Sequence, residues 1–211
     1  MTGEQELRER IATHGKSLYE RGFGVGSSGN ISVRLPDGFL VTPTNSCMGR
    51  LDPDRISKID FDGNLLAGDK PSKEVFLHLA VYAHRPAEHS VVHLHSTYSV
   101  AVSCLADVNP DDVLPPITAY YVMRCGCTPL VPYYAPGDRG LADAVGEQAK
   151  TSRSMLLANH GPVVAGKDLD AAVYAAEELE ETAKLYLLLR SEKTCYLTQP
   201  QVAELHERFP S

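Results

Sequence analysis

Three histidines and one glutamate carry the clearest chemical signal in the chain. In Val91-Val92-His93-Leu94-His95 two imidazoles stand two residues apart, and along a strand such residues point to one face. Both rings can then reach one ion, and imidazole nitrogen suits Zn2+ or a similar divalent cation. Taken alone, the pair reads equally well as two structural histidines. His160 adds a third ring from Asn159-His160-Gly161, a tight turn after a buried-type strand. A lone polar side chain in that position needs a purpose. Glu74 opens the helix preceding the His93 strand and offers a carboxylate. Three neutral histidines and a carboxylate, with room left for substrate, describe a catalytic rather than a closed structural metal site. Cys125-Gly126-Cys127 is a competing pair with the same spacing. No second cysteine pair accompanies it, so two buried thiols are the plainer reading. His14, His78, His84, His89 and His206 fall on helices or their ends and read as surface or packing residues.

A second constellation suits an anion. Gly26-Ser27-Ser28-Gly29-Asn30 is a turn that exposes backbone N–H groups, and Thr42-Pro43-Thr44-Asn45-Ser46 adds hydroxyls and amides. Pro71-Ser72-Lys73 places donors at a helix start, where phosphate binds well. Each segment alone is an ordinary turn or cap. Three of them beside a metal set point to phosphate.

These residues need a frame, and the pattern supplies an α/β one. Helices are expected over 3–21, 73–83 (capped by Ser72), 99–105, 138–149 (capped by Asp138), 168–189 and 199–209. Strands are expected over 31–35 and 39–42 around a Pro36-Asp37-Gly38 turn, then over 56–61, 90–95, 128–132, 155–158 and 163–165. A further turn falls at Pro136-Gly137-Asp138. No repeat or linker divides the 211 residues, so one domain over 1–211 is the simplest organisation. The net charge of −7, without a dense Lys/Arg stripe, argues against nucleic-acid binding. A charged N-terminus and the lack of any apolar run of about 18 residues exclude a signal segment and a membrane helix. Five irregularly spaced cysteines indicate a reduced, cytoplasmic protein rather than a disulfide framework.

The motifs Ser28-Gly29-Asn30-Ile31-Ser32-Val33-Arg34, Thr42-Pro43-Thr44, Pro71-Ser72-Lys73-Glu74, Val92-His93-Leu94-His95-Ser96 and Asn159-His160-Gly161 follow the order and spacing of the class II aldolase/adducin family. The resemblance covers about residues 5–190. It implies a three-layer α/β/α sandwich around a mainly antiparallel sheet, a bound Zn2+ (or another divalent ion such as Mn2+ or Co2+), and a homotetramer with sites at subunit interfaces. By motif, His93, His95 and His160 match metal ligands, and Glu74 matches a residue that both approaches the metal and acts as general acid/base. Asn30, Thr44, Asn45 and Ser72 match positions that hold substrate phosphate. Tyr120, six residues before Gly126, resembles a tyrosine that donates a proton in a neighbouring subunit's site. Tyr121 is the adjacent alternative.

Family chemistry passes through an enediolate stabilised by the metal, reached by aldol cleavage or by loss of CO2. The fuculose-phosphate aldolase pattern has a second serine before the glutamate, whereas this chain has Lys73. The segments 114–122 and 132–137 look closer to the branch that decarboxylates 3-oxo-tetronate 4-phosphates to dihydroxyacetone phosphate in sugar acid catabolism. Lys73 then supplies a positive charge for a substrate bearing both phosphate and carboxylate; otherwise it is an exposed first-turn lysine. The expected activity is this decarboxylation. The alternatives are a fuculose-phosphate-type aldolase and, in another class, a non-catalytic adducin-like binding module.

Overall fold

The computed structural model describes residues 3–135 and 137–209. Strand alternation explains its architecture. In β1 (Asn30–Leu35), Ile31, Val33 and Leu35 enter one apolar cluster, while Ser32 faces the other side. In β5 (Ser90–His93), Val92 joins that first cluster and Val91 a second. The same alternation in β7 (Ser154–Leu157) sends Leu156 one way and Met155 and Leu157 the other. A sheet buried on both faces needs a helical layer on each side. The first face is covered by α1 (Gly3–Glu20), α3 (Thr97–Ser103), α4 (Ala119–Arg124) and α6 (Leu169–Leu189). The second is covered by α2 (Val75–His84) and α5 (Gly140–Ala149). Asp168 caps α6 by accepting from the Ala171 N–H, as a helix-starting aspartate should.

Among the described residues, eight strands form one sheet in the order β4-β3-β2-β1-β5-β8-β7-β6. The remaining strands are β2 (Gly38–Val41), β3 (Ser57–Ile59), β4 (Leu65–Ala67), β6 (Leu130–Val131) and β8 (Gly161–Gly166). Every pairing is antiparallel except β6 with β7. A last helix, α7 (Gln199–Arg208), carries Pro200 in its first turn. No helix among the described residues is long and apolar enough to cross a membrane.

Several boundaries differ from the sequence expectation. The strand expected over 90–95 ends at His93, because β1 begins at its partner Asn30 and β8 has only Gly161 and Pro162 beyond Val163. The helix expected from Lys73 begins at Val75, because the Ser72 hydroxyl accepts the Glu74 N–H in a bend of its own. Asp138 accepts from the Gly140 N–H, and α5 starts two residues late. The helix expected over 99–105 runs 97–103, and the strand over 128–132 shrinks to two residues. Of the turn expected at Pro136-Gly137-Asp138, Pro136 lies outside the described residues. Two elements carried no sequence signal. β4 is an exposed three-residue edge strand, and α4 is a six-residue helix.

Candidate active site

The β1–β5 register sets the site. Asn30 lies directly opposite His93, and Ser32 opposite Val91. Alternation turns Asn30, Ser32 and His93 to the face covered by α2, and Glu74 is the residue that precedes that helix. His95 comes from the loop beyond β5, and His160 from the turn between β7 and β8. In that turn Asn159 has φ 57°, and Gly161 approaches so closely that a Cβ there would lie 2.2 Å from the Leu94 carbonyl oxygen. The His160 loop is thereby pressed against the backbone joining His93 to His95. The start of α3, which follows His95, is anchored as well. Glu180, buried on α6, accepts from the N–H groups of Tyr98 and Ser99 at 2.8 Å each and from the Ser99 hydroxyl at 2.7 Å. A carboxylate thus satisfies the open N–H groups at the start of α3.

Four donor groups converge. The Nε2 atoms of His93 and His95 are 3.2 Å apart, and those of His95 and His160 are 3.1 Å apart. Glu74 Oε1 lies 3.1 Å from His160 Nε2, and Oε2 lies 3.6 Å from His93 Nε2. All four ligand atoms fall within 4.8 Å of one another. His93 Nδ1–H donates to the Pro162 carbonyl oxygen at 2.8 Å, which leaves Nε2 as a lone pair aimed at the cluster. Burial pushes the His93 imidazole down to about 3, against the pull of Glu74. His95 is lowered too, first by burial and then by His160. The three ring nitrogens converge with the Glu74 carboxylate on one point, where a cation can be shared among them. Three imidazoles and a carboxylate are a donor set that fits a divalent metal with coordination to spare.

Glu74 has a further partner that no local motif links to it. Asn30 Nδ2–H donates to Glu74 Oε2 at 2.8 Å. Burial raises the Glu74 acid, but the His160 contact, the neighbouring histidine charges and Asn30 outweigh it and hold the carboxyl well below its usual range. Behind Asn30 stands His78, 2.5 Å from Asn30 Oδ1 and 2.7 Å from Ser32 Oγ. The Tyr82 hydroxyl follows at 2.8 Å from Ser32. His78 is fully buried, so the surface half of its sequence reading is corrected. Its signal was available: His78 lies four residues after Glu74, and Tyr82 four further on, along one helix face.

The anion segments are brought partly together. A bridge between Pro43 and Pro71 sets Thr44 and Asn45 beside Ser72 and Lys73. Ser72 N–H donates to the Thr42 carbonyl oxygen, and Thr44 N–H to that of Lys70, so these two backbone donors are already used. Asn45, with φ 56°, and Lys73 are exposed. Gly26 and Gly29 take positive φ in the neighbouring loop. The Asn30 amide is engaged at both ends, by Glu74 and His78.

Residues 9–187 match the family model described as Class II Aldolase and Adducin N-terminal domain. The chain belongs to this family. Its similarity to 3-oxo-tetronate 4-phosphate decarboxylase of Escherichia coli is 52% identity over 203 residues, 96% of each chain. L-fuculose phosphate aldolase of Methanocaldococcus jannaschii is 39% identical over 175 residues, 82% of this chain and 91% of that one. The crystal structure of Escherichia coli YgbL superposes with a TM-score of 0.94 at 51% identity, over 96% of this chain and 98% of that one. An L-fuculose 1-phosphate aldolase structure superposes with a TM-score of 0.86 at 26% identity, over 98% and 97%. The three-layer sandwich is therefore the class II aldolase fold, and class II aldolases depend on a divalent metal.

The two adjacent tyrosines of this class II aldolase chain separate cleanly. Tyr121 is buried, its hydroxyl 3.0 Å from Thr128 Oγ1. Tyr120 is 60% exposed and borders a groove of about 650 Å3 with Arg21, Phe23, Arg124 and Tyr174. None of Glu74, His93, His95 or His160 lines that groove. The cysteine pair diverges. Cys125 Sγ–H donates to the Ala175 carbonyl oxygen from the core, and exposed Cys127 to that of Asp111. Burial pushes their thiols up to about 12 and about 11, so they are poor metal ligands at neutral pH. Among the described residues the Glu/His cluster is the one group of metal-binding geometry.

Proposed function

We propose that the chain removes CO2 from a 3-oxo-tetronate 4-phosphate and leaves dihydroxyacetone phosphate. The carrying observation is the complete Glu74, His93, His95 and His160 cluster in a chain about half identical, over nearly its whole length, to decarboxylases of that substrate. It is a carbon–carbon lyase. The complete donor set speaks against a purely structural adducin-like role. The continuous eight-stranded sheet suits one domain over residues 1–211, and free cysteines suit the cytoplasm.

His93, His95, His160 and Glu74 hold the cation, for which Zn2+ is our choice from the donor set, with Mn2+ or Co2+ as substitutes. When bound, the cation supplies Lewis-acid stabilisation of negative charge developing on substrate oxygens. Ser72, Thr44, Asn45 and exposed Lys73 take the phosphate, and Asn30 borders the same loop. The bond between C1 and C2 breaks, C1 leaves as CO2, and its electron pair passes through C2 to the 3-oxo oxygen. C2 then takes up a proton, and closing the carbonyl gives dihydroxyacetone phosphate. Glu74 and Tyr120 handle that proton. Glu74, beside His93 and His160, takes up a proton from solvent and passes it to C2, the one proton that the decarboxylation consumes. Tyr120, directed to solvent beside Phe23 and Tyr174, serves the site of a neighbouring copy in a homotetramer.

The test offers a 3-oxo-tetronate 4-phosphate and L-fuculose 1-phosphate to the purified protein, with CO2, dihydroxyacetone phosphate and aldehyde assayed together. Equimolar CO2 and dihydroxyacetone phosphate from the first, well ahead of cleavage of the second, is the expected result. Aldehyde release without CO2 would replace decarboxylation by the aldolase reading.

A further inference from the structure

We propose that His78 is a positioning residue for Glu74, acting through a buried hydrogen-bond chain of fixed direction that runs Tyr82, Ser32, His78, Asn30, Glu74. The proposal rests on the role given to Glu74 above. An ionised carboxylate only accepts, so the Asn30 atom 2.8 Å from Glu74 Oε2 must be the amide nitrogen. Asn30 Oδ1 then faces His78 Nε2 at 2.5 Å, and an amide oxygen only accepts, so Nε2 carries the hydrogen. Burial lowers the His78 imidazole to about 4, so the neutral ring has one N–H and Nδ1 is a lone pair. Ser32 O–H, 2.7 Å away, must donate to it. With its hydrogen so used, Ser32 Oγ receives the Tyr82 O–H at 2.8 Å.

Every donor in the chain therefore points toward Glu74. The four residues behind the carboxylate come from two elements, β1 and α2, and all are buried: Ser32 and His78 at 0%, Asn30 at 3% and Tyr82 at 4% exposed. No bulk water reaches them to rescue a wrong orientation. What the chain fixes is the Asn30 amide. Without a donor at His78 Nε2, the amide is free to turn its oxygen to Glu74, where two acceptors repel, or to swing off both partners. Glu74 would then lose the one neutral donor that holds Oε2 beside His93. Metal ligands supported in this way depend on their supporting partners by about 10–100-fold in affinity or activity.

His78→Asn and His78→Gln separate this role from simple packing. Glutamine reaches far enough to offer an N–H near the Nε2 position, whereas asparagine stops short of Asn30 while keeping polar contact with Ser32. The probe is Co2+ added to chelator-treated protein, read by its visible absorption, alongside kcat and KM for the 3-oxo-tetronate 4-phosphate. His78→Asn should weaken Co2+ binding about tenfold or more and lower kcat to a similar degree, with KM little changed. His78→Gln should restore both. Wild-type Co2+ affinity and kcat in folded His78→Asn would overturn the proposal, as would equal losses in both variants. Should His78→Asn not fold, Ser32→Ala decides, because it removes the donor that fixes the ring's tautomer with little change in volume. A loosened Co2+ site in Ser32→Ala supports the chain, and an unchanged one overturns it. Glu74→Gln run in parallel keeps the two readings apart. Full kcat in Glu74→Gln would defeat the catalytic assignment of Glu74, while the Co2+ arm still judges His78.

Discussion

Replacing His78 by glutamine removes a titratable ring from a site with no exposure to solvent, and the consequence is a change in how stability depends on pH. Burial lowers the folded-state value from 6.5 to about 4. Between those values the unfolded chain binds a proton that the folded protein refuses. The stability contribution is therefore intact above pH 6.5 and drains away as pH falls toward 4. At pH 5 the linkage relation gives a loss of about 2 kcal/mol, with a ceiling of about 3 kcal/mol below pH 4. Urea unfolding of metal-free wild type and His78→Gln at pH 7.5 and pH 5 measures it. The substitution has its own cost at pH 7.5, and that cost should shrink by about 2 kcal/mol at pH 5. His93 and His95 titrate in both proteins and cancel in the difference. An equal stability gap at the two pH values would refute the reasoning, since it would mean that His78 accepts a proton in the folded state as readily as in the unfolded one.

Other perturbations address the rest of the site. His93→Ala should abolish bound metal, measured by elemental analysis, together with turnover; full activity in the metal-free variant would remove His93 from the ligand set. Gly161→Ala places a Cβ 2.2 Å from the Leu94 carbonyl oxygen and should cost about 1–3 kcal/mol in chemical denaturation, with a weaker metal site because the backbone between His93 and His95 must move. Glu180→Ala leaves the buried Ser99 N–H and hydroxyl without their acceptor, a loss of about 1–3 kcal/mol that Glu180→Gln should partly restore. Mixed oligomers of Glu74→Gln and Tyr120→Phe should regain activity that neither variant has alone, and verified mixed oligomers without regain would return Tyr120 to its own subunit or remove it from the site.

Much of this arrangement is legible in residue types and spacing. The apolar alternation of Ile31, Val33 and Leu35, and the long Ala- and Leu-rich run after Asp168, prescribe a strand and a helix that the fold contains. His93, His95, His160 and Glu74 stand out because so few polar residues interrupt such segments. The finer geometry escaped because it depends on partners distant in sequence. His95 reaches the cluster from a loop, since β5 ends where Asn30 begins its partner strand, and no local pattern at 90–95 records that. α4 is too short to show periodicity, yet it alone decides that Tyr121 enters the core and Tyr120 leaves it. In sequence alone His78 looks like any other helical histidine. Its importance comes from what β1 places opposite it.

That last case exposes a tension in how the site is built. An apolar residue at position 78 would avoid the acid-linked loss of stability, and α2 could still cover the sheet. The structure instead buries an imidazole, two hydroxyls and an amide in a row. Such a row is stable only if every donor finds its acceptor. This one has a terminus that supplies the missing acceptor, the Glu74 carboxylate. Remove that negative charge and the direction of the whole chain loses its reason. The burial that makes His78 a liability at low pH is thus also what gives the chain a single sense, and that sense converges on the group proposed to move the proton.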